Sequence, residues 1–344
     1  MAISIRQFQS GDLHCWDAFV RSHPCGSPFH LIGWKRSIET TFGYEPLYLM
    51  AEDSGRLRGI LPLFLVRNLL LGKALISSPF AVYGGPLADS PEVLQALRSA
   101  VEEHGNRLSV GYAELRNAYP EQCVGFAPID RYVTFTQTIS PDREAILESI
   151  PRKTRAAVRK AIKQPFTTRR TTDPTRFEDL YSRNLRRLGT PCFPSRHFTT
   201  LLENFPGEAD IFEVVLQEKV VAAVFTFVYG NQVLPYYGAS DPAFNAFAPN
   251  NYMYYELMCQ SGEKGITTYD FGRSKKVNSG SFDFKAHWGM EERTLPYEML
   301  LVRRKELPHF SPNNPKFSFA IQMWQRVPLP IARAVGPYLI RLVP

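Results

Sequence analysis

LYLMAEDSGRLRGILPLFLV, residues 47–66, runs apolar, turns on Glu52-Asp53-Ser54-Gly55 and runs apolar again. Turn residues between two such runs predict a β-hairpin. The same design recurs at residues 211–229, IFEVVLQEKVVAAVFTFVY, with Gln217-Glu218-Lys219 at the turn. Each hairpin leads to a strand with a tyrosine-glycine end, AVYGGP at 81–86 and LPYYG at 234–238. Helical stretches follow at Pro91–Glu103 and Tyr252–Glu263, then strands at Tyr112–Leu115 and Thr268–Phe271. The order helix, hairpin, strand, helix, strand thus occurs twice. It predicts an α+β chain of two tandem domains, each a mixed sheet flanked by helices, at 1–148 and 149–305. A tail at 306–344 completes it.

Length and composition agree. A chain of 344 residues suggests about two domains, and 44% hydrophobic with 21% charged residues is ordinary for globular proteins. The net charge of +7 favours anionic partners: RNA, nucleotide-linked substrates or an anionic membrane face. A solvated basic surface would carry the same charge. Five scattered cysteines without a CxxC pair suggest neither a zinc site nor a disulfide framework, and a reduced cytoplasmic setting fits. The polar N-terminus resembles neither a secretory signal nor a membrane span, and no run of about 18 apolar residues occurs.

Two segments carry unusual charge. SIPRKTRAAVRKAIKQ, residues 149–164, predicts a helix capped by Ser149. Arg152, Arg155 and Arg159 fall on one face, and only Ile150, Val158 and Ile162, with the alanines, offer apolar contact. Such a helix buries a thin stripe and shows a cationic face, suited to phosphates or simply to solvent. The tail interleaves Arg326, Arg333 and Arg341 with aromatic and aliphatic residues, and prolines 328, 330 and 337 are expected to break any long helix. This pattern suits the inner-membrane surface, and equally a tail packed on the body of the protein.

Several chemistries lack their motifs. There is no GxxxxGK[ST], GxGxxG after a strand, HExxH or GxSxG, and no histidine pair at metal-ligand spacing, so no metal site is expected. What stands out is YDFGRSKKVNSGSFDFKAHWG, residues 269–289. It predicts a strand through Asp270-Phe271-Gly272, a polar loop with Arg273, Ser274, Lys275 and Lys276, and a second aromatic strand, Phe282-Asp283-Phe284-Lys285. A lysine isolated between aromatics suits an anionic tetrahedral intermediate.

The duplicated pattern, over about residues 3 to 305, resembles tandem GNAT-like (acyl-CoA N-acyltransferase-type) domains. With the Phe284-Lys285 pair it resembles the FemAB-like family of aminoacyl-tRNA-dependent transferases. The resemblance implies an acyl or aminoacyl transfer that forms an amide, with Lys285 stabilising the oxyanion and Asp283 and Asp270 as possible proton acceptors. It implies an acceptor bound through Lys35, Tyr83, Arg187 and Tyr237; Arg273 and Ser274 at the strand end, and Asn250 and Tyr252 at the helix start, are further candidates by position. Acyl-CoA enzymes of this fold carry a glycine-rich turn that binds pyrophosphate at a helix N-terminus. Here the corresponding segments, GASDPAFNAFAPNNY at 238–252 and GGPLADSPE at 84–92, lack it.

No tightly bound cofactor is therefore expected, and the donor is a co-substrate, aminoacyl-tRNA or an acyl thioester. The acceptor is expected to be an anionic nucleotide- or lipid-linked precursor of the cell envelope. The absence of a coiled-coil insertion makes the chain similar to FemAB-related proteins of exopolysaccharide and exosortase (PEP-CTERM) systems. Two alternatives remain at this stage: an N-acyltransferase using acyl-CoA or acyl carrier protein, and a non-catalytic membrane-associated scaffold in polysaccharide assembly.

Overall fold

The computed structural model describes residues 3–68, 72–276, 280–306, 315–342 and 344. Its strands are β1 (Ser4–Gln7), β2 (Glu45–Asp53), β3 (Arg56–Asn68), β4 (Gly72–Ser77), β5 (Leu87–Ala88), β6 (Tyr112–Leu115), β7 (Ala127–Ile129), β8 (Tyr132–Thr138), β9 (Thr167–Thr171), β10 (Ala209–Leu216), β11 (Lys219–Tyr229), β12 (Gln232–Ser240), β13 (Thr268–Lys275), β14 (Glu291–Thr294) and β15 (Tyr297–Leu301). Its helices are α1 (Leu13–Ser22), α2 (Ile32–Phe42), α3 (Pro91–Arg107), α4 (Arg143–Ser149), α5 (Arg152–Ile162), α6 (Thr175–Leu188), α7 (Arg196–Asn204), α8 (Pro249–Glu263), α9 (Gly280–Ala286), α10 (Pro315–Arg326) and α11 (Leu329–Ile340).

Two sheets form. One runs β1-β2-β3-β4-β6-β15-β7, the other β14-β8-β13-β12-β11-β10-β9. Both contain the expected hairpin, β2-β3 and β10-β11, each followed by an antiparallel third strand. A helix crossover then leads to a parallel fourth strand, β4-β6 and β12-β13. The duplication read from residues 47–66 and 211–229 is therefore real, and the fold is α+β with two mixed sheets.

The central strands are apolar on both faces because both faces are covered. In the first unit Leu47, Leu49 and Ala51 pack with Val93 and Leu97 of α3, while Tyr48 faces Trp16 and Phe64 on the other side. In the second, Phe212 and Val214 share a core with Met253, Leu257 and Met258 of α8. On the opposite face Phe225 meets Phe177 of α6 and Phe198 of α7.

The compact units divide the chain differently from 1–148, 149–305 and 306–344. One contains residues 1–130, 295–312 and 338–344; the other contains 131–294 and 313–337. Hydrogen bonding causes this. β8 pairs with β13 and so carries 131–148 into the second sheet, while β15 pairs with β6 and returns 295–306 to the first. The tail is divided between the units rather than standing apart, and α11 runs through Pro337 without ending there.

Local details also differ. Residues 81–86 form no strand; β4 takes that place, and the chain at Gly84-Gly85 is irregular. A Cβ at Gly85 would lie 2.2 Å from Asn117 Oδ1, so the close packing there demands glycine. Ser149 does not cap the basic helix. It ends α4, while α5 begins after Pro151. Ile162 is exposed rather than packed, leaving Thr154, Val158 and Ala161 as the buried stripe of α5.

Candidate active site

In the second sheet the parallel strands β12 and β13 pair only through Gln232–Thr268 and Val233–Tyr269. Beyond that point β12 continues against β11 and β13 against β8. As it parts from β12, β13 bulges, with its register on β8 shifting between Asp270 and Arg273. Gly272 takes φ +69°, a left-handed conformation that favours glycine. The buried Asp270 carboxylate holds the bulge by accepting from the Gly272 amide at 2.8 Å and the Thr134 hydroxyl at 3.0 Å.

The bulge aims two carbonyls at one lysine. Lys285 Nζ donates to Gly272 O at 2.9 Å and Arg273 O at 3.1 Å. It also lies 5.4 Å from the centre of the Phe271 ring. Phe271, Phe284, Tyr254 and Trp288 form a continuous aromatic group around this strand, with ring centroids 4.6–6.2 Å apart. Burial pushes the Lys285 ammonium down to about 7; Asp270 opposes the change and Arg273 adds to it.

Among the described residues, this arrangement leaves one direction of the amine without an acceptor. An ammonium has three N–H donors, and the carbonyls take two. The third can donate to an oxygen that becomes negative. After deprotonation the two remaining N–H groups still satisfy the carbonyls, and a lone pair takes the third direction.

The structure gathers Lys285, Asp270, Arg273 and Ser274. The Arg273 guanidinium stacks over Tyr132 at 4.6 Å, and Ser274 Oγ meets Ser281 Oγ at 3.0 Å. Both residues belong to β13, which extends to Lys275, and not to a loop. Phe282 to Lys285 form a turn of α9, not a strand. Asp283 is therefore exposed on α9, and Asp270 is occupied as the clamp of the bulge. Asp270 thus spends Oδ1 on holding the bulge, and Asp283 makes no part of that clamp.

The other candidates lie elsewhere. Tyr237 is buried among Tyr181, Phe193 and Phe198, with its hydroxyl 3.3 Å from His197 Nε2. Burial pushes the phenol well above its ordinary value and the imidazole down to about 3, so both stay neutral. Arg187 is exposed at the end of α6 and bonds Asn184. Lys35 and Tyr83 belong to the first unit: Lys35 pairs with Glu39 at 2.7 Å, and Tyr83 is a core ring against Phe29.

Asn250 and Tyr252 do open a helix, α8, beside the segment that lacks glycines. Ala248 stands before it at φ +55°, and Pro249 occupies its first turn without an N–H. Asn250 Oδ1 is buried and accepts no hydrogen bond from the described residues, while Tyr252 packs against Phe166 at 5.1 Å.

Sequence reasoning missed Thr134, the bulge itself and the packing of Tyr254 against Phe271. Gly238 carried a signal, since a Cβ there would lie 2.5 Å from the Tyr254 hydroxyl. It also missed how α5 is attached. Thr154 Oγ1 donates to His287 O at 2.6 Å, and a Cβ at Gly289 would touch the Pro151 ring. The cationic helix thus starts against the segment that immediately follows Lys285.

Known proteins share this architecture. Residues 150–286 match the model of the acetyltransferase (GNAT) domain, a span that includes Lys285. A stretch of 66 residues is 38% identical to a lipid II:glycine glycyltransferase of Staphylococcus epidermidis. It covers 17% of this chain and 16% of that protein, so the chain spans about one sixth of the curated relative's length. Among solved structures, FemX superposes with a TM-score of 0.70 at 18% identity, covering 87% of this chain and 98% of FemX. A tandem GNAT protein from the clavulanic acid biosynthesis pathway superposes with a TM-score of 0.51 at 12% identity, covering 87% and 98%.

Proposed function

We propose that this chain is a FemAB-like aminoacyltransferase that forms an amide on a lipid- or nucleotide-linked precursor of the cell envelope. The observation that carries the reading is the Lys285 amine, fixed by two carbonyls of the β13 bulge and with no third acceptor among the described residues. In the reaction an acceptor amine attacks the carbonyl carbon of an aminoacyl ester on tRNA. A C–N bond forms and the ester C–O bond breaks. The amine proton ends on the released ribose oxygen. Lys285, as the ammonium, donates to the oxyanion of the tetrahedral intermediate.

Two further features support the reading. The likeness to a lipid II:glycine glycyltransferase supports aminoacyl transfer on an envelope precursor, and the likeness to FemX supports the fold. The exposed cations of α5, Arg152, Lys153, Arg159 and Lys160, with Lys163 just after it, begin beside the Lys285 segment and suit RNA phosphates.

A second reading, an N-acyltransferase using an acyl thioester, draws on the acetyltransferase domain match. Against it stands the start of α8, where Pro249 removes an amide that would hold a pyrophosphate.

Attachment to the inner-membrane surface belongs to the same proposal. Ile331, Val335 and Tyr338 of α11, at 52%, 41% and 71% exposure, share one helical face. No helix among the described residues is long and apolar enough to cross a membrane. The proposed setting is the cytoplasmic face, and a role in exopolysaccharide or exosortase systems is a narrower form of the proposal.

The test offers the protein labelled charged tRNAs in parallel with labelled acyl-CoA, with envelope precursors as acceptors. Label should pass from tRNA and depend on Lys285. Label passing only from the thioester would replace this reading with the second one.

A further inference from the structure

The second unit contains a cavity of about 730 Å³ that shares no residue with the Lys285 cluster. It lies between α6, the segment 192–195, the start of α7 and the tail helix α11. Tyr181, Phe193 and Phe198 supply three aromatic rings, with centroids 5.5–6.4 Å apart. Arg333 from the tail closes one side by donating to Asp179 Oδ1 at 2.6 Å and to Ser182 Oγ at 2.8 Å.

Glu178 lines the same cavity. Its Oε1 is buried, accepts no hydrogen bond from the described residues and makes no ion pair with them. A carboxylate oxygen buried without a donor is costly, and the group responds by keeping its proton or by taking a ligand that donates. The neighbouring rings favour a cation, because the face of an aromatic ring attracts positive charge. An apolar wall, three rings and a carboxylate oxygen with no donor among the described residues fit an ammonium group attached to an apolar body, with the guanidiniums of Arg333 and Arg196 on the same lining opposing it.

We propose that this cavity binds a primary amine carrying an apolar chain or ring, its ammonium donating to Glu178 and its body lying among Tyr181, Phe193 and Phe198. The tail is then part of a ligand site, since Arg333 and Pro337 form its wall.

Burial raises the Glu178 carboxyl to about 7, with Arg333 opposing and Asp173 adding to the rise. The other charged or titratable groups lining the cavity are Asp179, Arg196, Cys192 and Tyr181. Asp179 is held ionised by its arginine partners, Arg333 and Arg183, and Arg196 is exposed and permanently charged. Burial pushes the Cys192 thiol and the Tyr181 phenol up, so both remain neutral near pH 7. Glu178 is thus the lining group that changes charge there, and amine binding should strengthen as it ionises.

Calorimetric titration of the full chain with octylamine, octanol and octanoate tests this. Octylamine should bind at least about tenfold tighter than octanoate, the scale of one charge-assisted hydrogen bond. Its affinity should rise between about pH 6 and 8, where the carboxyl ionises and the amine does not titrate. Glu178→Gln should bring octylamine down to the affinity of octanol and remove the pH dependence. Octanoate binding as tightly as octylamine, no saturable binding of octylamine, or a flat pH profile in the wild type would overturn the proposal. The wild-type pH series alone decides the matter should the variant not fold.

Discussion

In each unit a cation sits just beyond the parallel pairing of the third and fourth strands, and the two cations live under opposite conditions. In the first sheet Arg116, just after β6, is 3% exposed. Its guanidinium donates to Glu114 at 2.8 Å, to the carbonyls of Ser78 and Ala81 and to Pro344 O at 2.8 Å. In the second, Lys285 meets two carbonyls, with Asp270 near it only as a field. The arginine commits four of its five N–H donors; the lysine, among the described residues, commits two of three and is pushed down to about 7 by burial. Under the proposed function, the duplicated fold uses the same seam once as a brace and once as a site.

Breaking the brace should have the largest effect on folding. Arg116→Ala strands the Glu114 carboxylate and three carbonyls, and should cost about 3–5 kcal/mol, the range for breaking a buried pair. Chemical denaturation should show the loss, while transfer per folded molecule stays unchanged.

Lys285→Met should do the reverse. Transfer should fall by about 10²–10³, the loss for one oxyanion donor, with the fold intact by circular dichroism. Stability should follow the sign of the lysine's shift. A lysine held below its unfolded value binds fewer protons folded than unfolded between about pH 7 and 10.4, so its contribution to stability rises with pH across that window. The methionine variant should therefore melt above the wild type below pH 7, and the gap should close as pH rises through this window.

A smaller effect is expected at the bulge. Gly272→Ala puts a side chain at φ +69° and should cost about 1–2 kcal/mol. Gly43, at φ +67° in open space on the first unit, gives the control: the same backbone cost with no change in transfer. Equal losses of transfer in both variants would show that the bulge does not aim the carbonyls.

The smallest concerns the cavity. The Glu178 carboxyl, raised to about 7, works against folding above that pH and is nearly neutral in effect below about 4.3. Glu178→Gln should raise the melting temperature by a few degrees at about pH 8 and leave it almost unchanged at about pH 4. Equal shifts at both pH values would assign the effect to packing instead.

Local patterns made much of this legible. The hairpins at 47–66 and 211–229 announced themselves because turn residues interrupt β-branched and apolar runs, and the duplication followed from order alone. Lys285 stood out as a lysine among aromatics. What could not be read was whatever depends on distant pairing. Phe282 to Lys285 alternates like a strand, yet closes into a helical turn on the aromatic group around Phe271. The exchange of β8 and β15 between sheets has no local marker, which is why the domain limits moved. Asp270 read as a base because nothing in its neighbours names Thr134 as its partner. Glu178 carried no signal, since its environment is assembled from α6, 192–195 and the tail.

The measurement that tests the central claim most directly is the pH profile of single-turnover transfer from charged tRNA, for wild type and Lys285→Met side by side. The ratio of the two rates cancels the titration of the acceptor amine. The account predicts a large ratio at about pH 6 that falls with a midpoint near 7. A ratio that stays flat from about pH 5.5 to 9, or that rises with pH, would contradict a charged Lys285 at the oxyanion.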